Sequence, residues 1–373
     1  MIVEHKKPDH LFLFLEVFIQ EGGIQSYVKD VLRAYQKLDY QGQVLVLRDK
    51  YPVDDDLMSG NLRFKGFADA SPMMGRIRFM VNLLWGLIIH RPQRVFCGHI
   101  KLGGVTRLFC GLLNIPYTVL TYGKEVWDTL PPKPRQVLND ANQVITISRY
   151  SCDRIYESNN IDKDKIDILP CVVDAQRFTI APKPPELLEK YNLQNSKVLL
   201  TVTRLWSGDI YKGVDVTIRA LPKILKIYPD VKYLVVGRGD DQPRLKKLSR
   251  DLGIEEKVIF AGFVPTPELV SHYQVCDAYI MPSQEGFGIV YLEAMACGKP
   301  VLSGDNDGSA DPLQDGHLGW RVPHRDVDAV ANGCIEILQG NDRRCDGKWL
   351  RQETIKKFSL QVLDKRLKEL IEG

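Results

Sequence analysis

SQEGFGIVYLEAMACGKPV, residues 283–301, carries two acids, Glu285 and Glu293, in a run otherwise almost free of charge. A Gly-x-Gly turn at 286–288, an apolar run with helical spacing and a second turn at 298–300 frame them. That order reads as strand, turn, helix, turn and next strand, with Glu285 in the loop and Glu293 inside the helix.

The same grammar extends upstream of this stretch. KVLLTVTRL, VKYLVVGRG, KVIFAGF and AYIMPS read as strands, separated by the helical patterns DVTIRALPKILKIY, QPRLKKLSRDLG and ELVSHYQVC. PVLSGD, GWRVP and a helix over 326–338 follow. The N-terminal half repeats the alternation with LFLFLEVF, GIQSYVKDVLRAYQKL, QVLVL, a helix over 77–90, RVFCGH, TRLFCGLL, YTVLTYG and QVITIS. Strands alternating with helices imply parallel sheets with crossover helices, hence an α/β fold of two Rossmann-like domains. Four prolines interrupt any periodicity between 169 and 191, which places the linker there. The domains are expected at 1–175 and 176–350, with a terminal helix over 351–373. In such folds a ligand binds at the carboxyl ends of the strands, so an active site in the cleft between the halves is expected.

Length and composition agree. At 373 residues two domains are the natural expectation, and 44% hydrophobic with 26% charged residues describes an ordinary globular chain. A net charge of +3 permits a modest attraction to phosphates or an anionic membrane and gives no case for nucleic acid. Eight cysteines include no C-x-x-C pair, so they read as reduced, mostly buried thiols of a cytosolic protein without a metal site. The apolar run near the N-terminus is broken by Glu16 and reads as a first strand, not a signal peptide. The run at 79–90, flanked by Arg76, Arg78 and Arg91, is too short to span a bilayer; the expectation is a buried helix, the alternative a helix lying on a membrane.

In TRLWSGDIYKGVD, Arg204 follows a strand and Lys212 precedes a helix; two cations there make a place for a diphosphate, unless both are solvated surface groups. VVGRG puts Gly237 straight after a strand, either for close approach to a ligand or for a tight turn alone. The turn of Gly286, Phe287, Gly288 and Ile289 offers backbone N–H groups to an anion. Glu293 can reach a ribose diol and Glu285 the hydroxyls of a sugar; the alternative is that both acids cap the helix or pair with cations. Gly22 and Gly23 lie between a strand and a helix, and His99 ends a strand.

Together GGIQSYVKDVL, ITISRYS, VTRLWSGDIYKGVD and EGFGIVYLEAMACGKPV resemble the motifs of the retaining nucleotide-sugar glycosyltransferases of family four, which have the B-type two-domain fold. The similarity covers nearly the whole chain and is strongest over 197–323. It implies that Arg204 and Lys212 neutralise the donor diphosphate, that Glu293 holds the ribose, and that Glu285 with Phe287 and Gly288 holds the transferred sugar. It implies also that Gly22 and Gly23 approach the donor, that His99 is a catalytic-site histidine, and that the C-terminal helix crosses back to the first domain. In LTYGKEVW, Tyr122 stands where relatives often have histidine, so Tyr122, Lys124 and Glu125 become candidate acceptor contacts. NDGSAD, with Gly308 and Asp311, replaces a Gly-Gly and Glu pattern. The implied reaction is retaining transfer of a hexose, with glucose from UDP-glucose as the donor expected by likeness to bacterial and cyanobacterial polysaccharide-building members. The acceptor is a glycan or lipid-linked saccharide, no metal or cofactor is needed, and the setting is cytoplasmic with peripheral contact at the inner membrane face. The Asp run at 54–56 is assigned to an exposed loop. A nucleotide-sugar-binding protein without turnover and an NAD-dependent oxidoreductase are the rival classes.

Overall fold

The computed structural model describes residues 9–19, 22–50, 55–69 and 71–372. The chain forms two compact units, one built from the chain up to Cys171 together with Leu360 onward, the other from Val172–Ser359. Each is a doubly wound α/β unit.

The first unit holds β1 (His10–Phe14), β2 (Gly42–Val46), β3 (Leu62–Gly66), β4 (Arg94–Cys97), β5 (Tyr117–Leu120), β6 (Gln143–Thr146) and β7 (Ile166–Ile168), in the order β3-β2-β1-β4-β5-β6-β7. All its strand pairs are parallel. Helices cover both faces of such a sheet, which is why HLFLF in β1 and YTVL in β5 are apolar at nearly every position and buried throughout. The edge strands β3 and β7 were not anticipated. LRFKG exposes Arg63 and Lys65, as an edge that resists further pairing does, and IDI has only three residues; neither shows an apolar run. Of the Asp run, Asp54 lies outside the described residues, while Asp56 is exposed in a short helix, Asp55–Met58.

Two helices differ from expectation. The one read over 77–90 begins at Pro72 and runs to His90, 19 residues, long and apolar enough by length and composition to cross a membrane. It is also not a buried helix. Phe79, Leu83 and Leu87 enter the core, but Met73, Ile77, Val81, Trp85 and Ile88 are exposed. The terminal helix is two helices, Gly347–Phe358 in the second unit and Leu360–Glu372 in the first. They break because Ser359 is extended and pairs with Val173, whose N–H donates to the Phe358 carbonyl at 2.8 Å. The last helix then packs on the helix Gly23–Gln36 and is held by Arg366 to Asp167 (3.1 Å) and Lys37 to Asp364 (2.6 Å).

The second unit contains β8 (Lys197–Val202), β9 (Val231–Val236), β10 (Val258–Gly262), β11 (Ala278–Met281), β12 (Val301–Gly304) and β13 (Trp320–Val322), in the parallel order β10-β9-β8-β11-β12-β13. The chain winds outward from β8 to one edge and then from β11 to the other. Neighbouring β8 and β11 therefore send their following loops to opposite sides and leave a crevice at their carboxyl ends. All eight cysteines are free thiols, seven of them buried.

The loops after β8 and β9 lie so close that a side chain at Gly237 has no room: φ is +137°, and a Cβ there would sit 1.8 Å from the Thr203 carbonyl oxygen. Gly237→Ala should lower stability by at least about 1–3 kcal/mol, read as a lower urea midpoint. Gly208→Ala, where a Cβ meets open space, should leave the midpoint unchanged.

Candidate active site

The crevice between β8 and β11 brings Lys212 and Glu285 together. Lys212 ends a 3₁₀ helix, Ser207–Lys212, and Glu285 sits in the loop after β11. The Lys212 ammonium donates to Glu285 Oε1, and each side chain is 15% exposed. Ser283 Oγ donates to the same carboxylate oxygen at 3.1 Å. The approach of the two loops depends on Gly213, at φ +75°, where a Cβ would lie 2.5 Å from the Pro282 carbonyl oxygen.

Glu285 is held from behind by the loop after β12. Its N–H donates to Asp307 Oδ2 at 2.6 Å, while its carbonyl accepts from Gly308 N–H at 2.8 Å. Asp307 also accepts the Ser309 N–H at 3.0 Å and the Ser309 hydroxyl. Gly308 packs against the Gly286 carbonyl so tightly that a Cβ would be 1.9 Å from its oxygen. Burial, above the effects of its hydrogen bonds and of nearby Glu285, pushes the Asp307 carboxyl up to about 7. Sequence reading stopped at Gly308 and Asp311 and passed over Asp307. The available signal was an aspartate two residues before a serine, the pattern of a side chain that caps its own turn.

Arg204 is more exposed, at 57% of its side chain. It pairs with Asp209 at 3.1 Å, lies over the Trp206 ring at 4.5 Å and lines the same small recess as Lys212. The VVGRG turn fixes its loop from the side. Thr203 N–H donates to Val236, Leu205 N–H to Arg238 and Asp241 N–H to Leu205, at 2.8–3.1 Å. Gly237 and Gly239 thus make room for the Thr203 and Leu205 carbonyls; the backbone they approach is the chain's own.

In the EGFG turn, Phe287 is buried edge-on against Phe358 and anchors the loop. Gly288, at φ +92°, starts the helix Ile289–Ala296, whose first N–H groups lack intrahelical acceptors by construction. Gly286, Gly288 and Ile289 stay partly exposed. Glu293, inside the helix, accepts the hydroxyl of buried Tyr273 at 2.6 Å. Both acids lie near the buried Tyr279 phenol, which donates to the Val202 carbonyl at the end of β8; burial chiefly, and then the two carboxylates, raise its pKa. Tyr273 was missed because an aromatic in a short helix reads as core.

The first unit places Gly22, Gly23 and His99 at its own strand-order reversal, after β1 and β4, and Tyr122, Lys124 and Glu125 after the next strand, β5. Gly22, extended, caps the helix Gly23–Gln36, and both glycines are exposed. A Cβ at Gly22 would meet only the end of the Gln25 side chain. His99 caps the helix Ile100–Leu113, its Nδ1 accepting from Lys101 N–H at 3.1 Å. Burial, then Lys101 and Arg48, lowers its pKa to about 4, so the ring is neutral at pH 7. Tyr122 is buried and its hydroxyl donates to the Gly98 carbonyl at 2.8 Å, which braces the turn before His99. Glu125 accepts the Tyr122 N–H, and burial raises its pKa; Lys124 alone of these three is well exposed. Among the described residues no three His, Cys, Asp or Glu side chains gather as metal ligands would.

Comparison with known proteins gives this arrangement a family. Residues 185–348 match the model of the glycosyl transferases group 1. A GDP-mannose-dependent alpha-(1-6)-phosphatidylinositol monomannoside mannosyltransferase of Mycolicibacterium smegmatis is 34% identical over 270 residues, 68% of this chain and 69% of its own. A GDP-mannose-dependent monoacylated alpha-(1-6)-phosphatidylinositol monomannoside mannosyltransferase of Corynebacterium glutamicum is 27% identical over 94% of both chains. Among solved structures, HepE of Anabaena in complex with UDP superposes with a TM-score of 0.80 over 98% of this chain and 99% of that one; at 19% identity the likeness speaks for the fold. Two parallel-sheet units of the B-type fold, the family match across the β8–β11 crevice and a one-third-identical relative lead to one conclusion: the chain belongs to the glycosyl transferases group 1.

Proposed function

We propose that the chain transfers a hexosyl group from a nucleoside diphosphate sugar to a hydroxyl of a glycan or lipid-linked saccharide, with retention at the anomeric carbon and without a divalent metal. The observation that carries this reading is the Lys212–Glu285 pair at the carboxyl ends of β8 and β11. A cation and a carboxylate placed side by side match the two ends of a sugar diphosphate, one anionic and one rich in hydroxyls. GDP-mannose is the donor we put first, because the M. smegmatis and C. glutamicum relatives are named for it. UDP-glucose is the second donor. A lipid-linked acceptor would put the protein on the cytoplasmic side, at the inner face of a membrane.

In this reading the sugar C1–O bond to the diphosphate breaks and a bond from C1 to the acceptor oxygen forms. The acceptor proton passes to the departing phosphate. Lys212, Arg204 and the helix start at Gly288 and Ile289 stabilise the charge that grows on the leaving group, as donors fixed in a partly desolvated site do best. The incoming phosphate draws Lys212, which frees Glu285 to accept hydrogen bonds from sugar hydroxyls. Engaged in that way, Glu285 holds the sugar instead of attacking it, which favours same-face attack by the acceptor. Glu293, which already accepts the Tyr273 hydroxyl, accepts from the ribose in this reading. His99 of the first unit is neutral at pH 7 and so offers a substrate a hydrogen bond and no positive charge.

Turnover of GDP-mannose and UDP-glucose in the presence of chelator, with a saccharide acceptor, tests the whole reading. Wild type should turn over one of them. Lys212→Ala should cut kcat by about 100- to 1,000-fold, and the more solvated Arg204→Ala by less. Tight donor binding with no turnover would make the chain a binding protein, and dependence on added metal would overturn the metal-free mechanism. For Glu293 the informative change is Glu293→Gln, which keeps an acceptor for Tyr273. It should weaken nucleoside diphosphate binding by roughly 10- to 100-fold, the scale of a hydrogen bond to a charged group, and leave the affinity for the 2′,3′-dideoxy analogue unchanged in calorimetry. The Asp307 carboxyl holds its proton to about pH 7 in the fold but only to its ordinary 3.8 when unfolded. The folded state therefore binds more protons between these values, and its stability falls as pH rises through them. Asp307→Asn should flatten this decline in thermal unfolding across the same window.

A further inference from the structure

We propose that the first unit docks on an anionic lipid bilayer through the outer face of the helix Pro72–His90, joined by Leu108 and Leu112 of the neighbouring helix Ile100–Leu113.

The helix Pro72–His90 is apolar on two faces. Gly75, Phe79, Leu83, Gly86 and Leu87 recur at helical spacing and are buried. Met73, Ile77, Val81, Trp85 and Ile88 recur at the same spacing on another stripe and are exposed, Val81 by 60% and Trp85 by 64%. An ordinary helix of an α/β unit turns a polar stripe to solvent, so a second apolar stripe needs an apolar partner. The helix Ile100–Leu113 packs beside it and adds Leu112, 74% exposed, and Leu108.

Charge selects the partner. Residues 70–124 contain seven lysines and arginines and no aspartate or glutamate. Among the acids that reach this region from outside it are Asp69, paired with Arg78 at 2.9 Å, and Asp140, paired with Arg107 at 2.5 Å, with Asp9 accepting from Gln93 at 3.3 Å and Glu125 from the Tyr122 N–H. Arg76 and Arg91 flank the stripe at either end and are exposed. A second copy of this chain would oppose cations to cations across a two-fold interface, which disfavours it. Anionic headgroups over an acyl interior complement both features, and Trp85 is of the type that settles at that boundary.

The helix lies on the bilayer and does not cross it. Its inner stripe is part of the core that includes Leu11, Leu45 and Val95 of β1, β2 and β4, so spanning would empty that core. At 19 residues it offers about 28 Å of contact parallel to the surface. Docking there would serve a lipid-linked acceptor, but the inference stands on the surface alone.

The test is flotation of the full chain, without donor or acceptor, with vesicles of phosphatidylcholine and with vesicles of phosphatidylcholine and phosphatidylglycerol in equal parts. The protein should float with the anionic vesicles, more weakly in high salt, and its tryptophan emission should shift to the blue in a way that Trp85→Phe removes. Val81→Glu, on an exposed site that leaves the thermal midpoint unchanged, should reduce binding at least tenfold, and Arg76→Glu should reduce it as well. Failure to float, equal binding to neutral vesicles, binding unmoved by Val81→Glu, or self-association in sedimentation that Val81→Glu abolishes would each overturn the proposal. Donor turnover is not involved, so these outcomes are independent of the transferase reading.

Discussion

The ion pair between Lys212 and Glu285 is the contact around which the second unit's site is organised. Two oppositely charged groups, each largely withdrawn from water, cost desolvation that their attraction offsets only if the geometry is held. The surroundings supply that geometry: Gly213 against Pro282 sets the distance between the loops, Ser283 occupies the carboxylate, and Asp307 with Gly308 fixes the backbone of Glu285 at both its N–H and its carbonyl. Removing a ligand-sized partner from such a pair leaves each charge with the other. Adding an anion beside Lys212 gives the cation a second carboxylate-like neighbour and loosens its hold on Glu285.

This arrangement follows from sheet topology before it follows from any single side chain. With β8 and β11 adjacent and their loops diverging, residues 73 positions apart in sequence come into hydrogen-bond contact. The first unit repeats the device: β1 and β4 are neighbours, and the exposed glycines 22 and 23 and the partly buried His99 follow them. Sequence alone conveyed the alternation of strands and helices, and so the α/β class, because a strand covered on both faces is apolar at nearly every position. The short edge strands lacked that signal: β3 alternates apolar residues with Arg63 and Lys65, and three residues of β7 cannot show a period.

At the site, legibility divides along chemical lines. Lys212, Arg204, Glu285 and Glu293 were visible because charge in an apolar, glycine-framed run is conspicuous. Their supporting groups were not. Asp307 reads as one acid among several in NDGSAD, and Tyr273 as one aromatic in a core helix, until the fold shows the first beneath Glu285 and the second on Glu293. VVGRG illustrates the converse: two glycines after a strand suggest a ligand, yet the close approach they permit is to the Thr203 and Leu205 carbonyls of the Arg204 loop. Glycine records that something comes near, and only the structure shows what.

The helix Pro72–His90 shows the same limit for apolar residues. A run with apolar groups on all sides is compatible with burial, with a membrane surface and with a bilayer span, since composition does not record which stripe faces the protein. The fold assigns one stripe to the core and leaves the other outside, over a stretch of chain from which acids are missing. Neither feature serves the core: β4 and the inner stripe would pack as well beneath a polar outer face. An apolar exterior lowers solubility, and an excess of cations over acids is self-repelling, so both weigh against the isolated unit. They become favourable together only against a surface that is apolar within and anionic at its boundary, and that complementarity is the ground on which a lipid partner is proposed for the outer face of this helix.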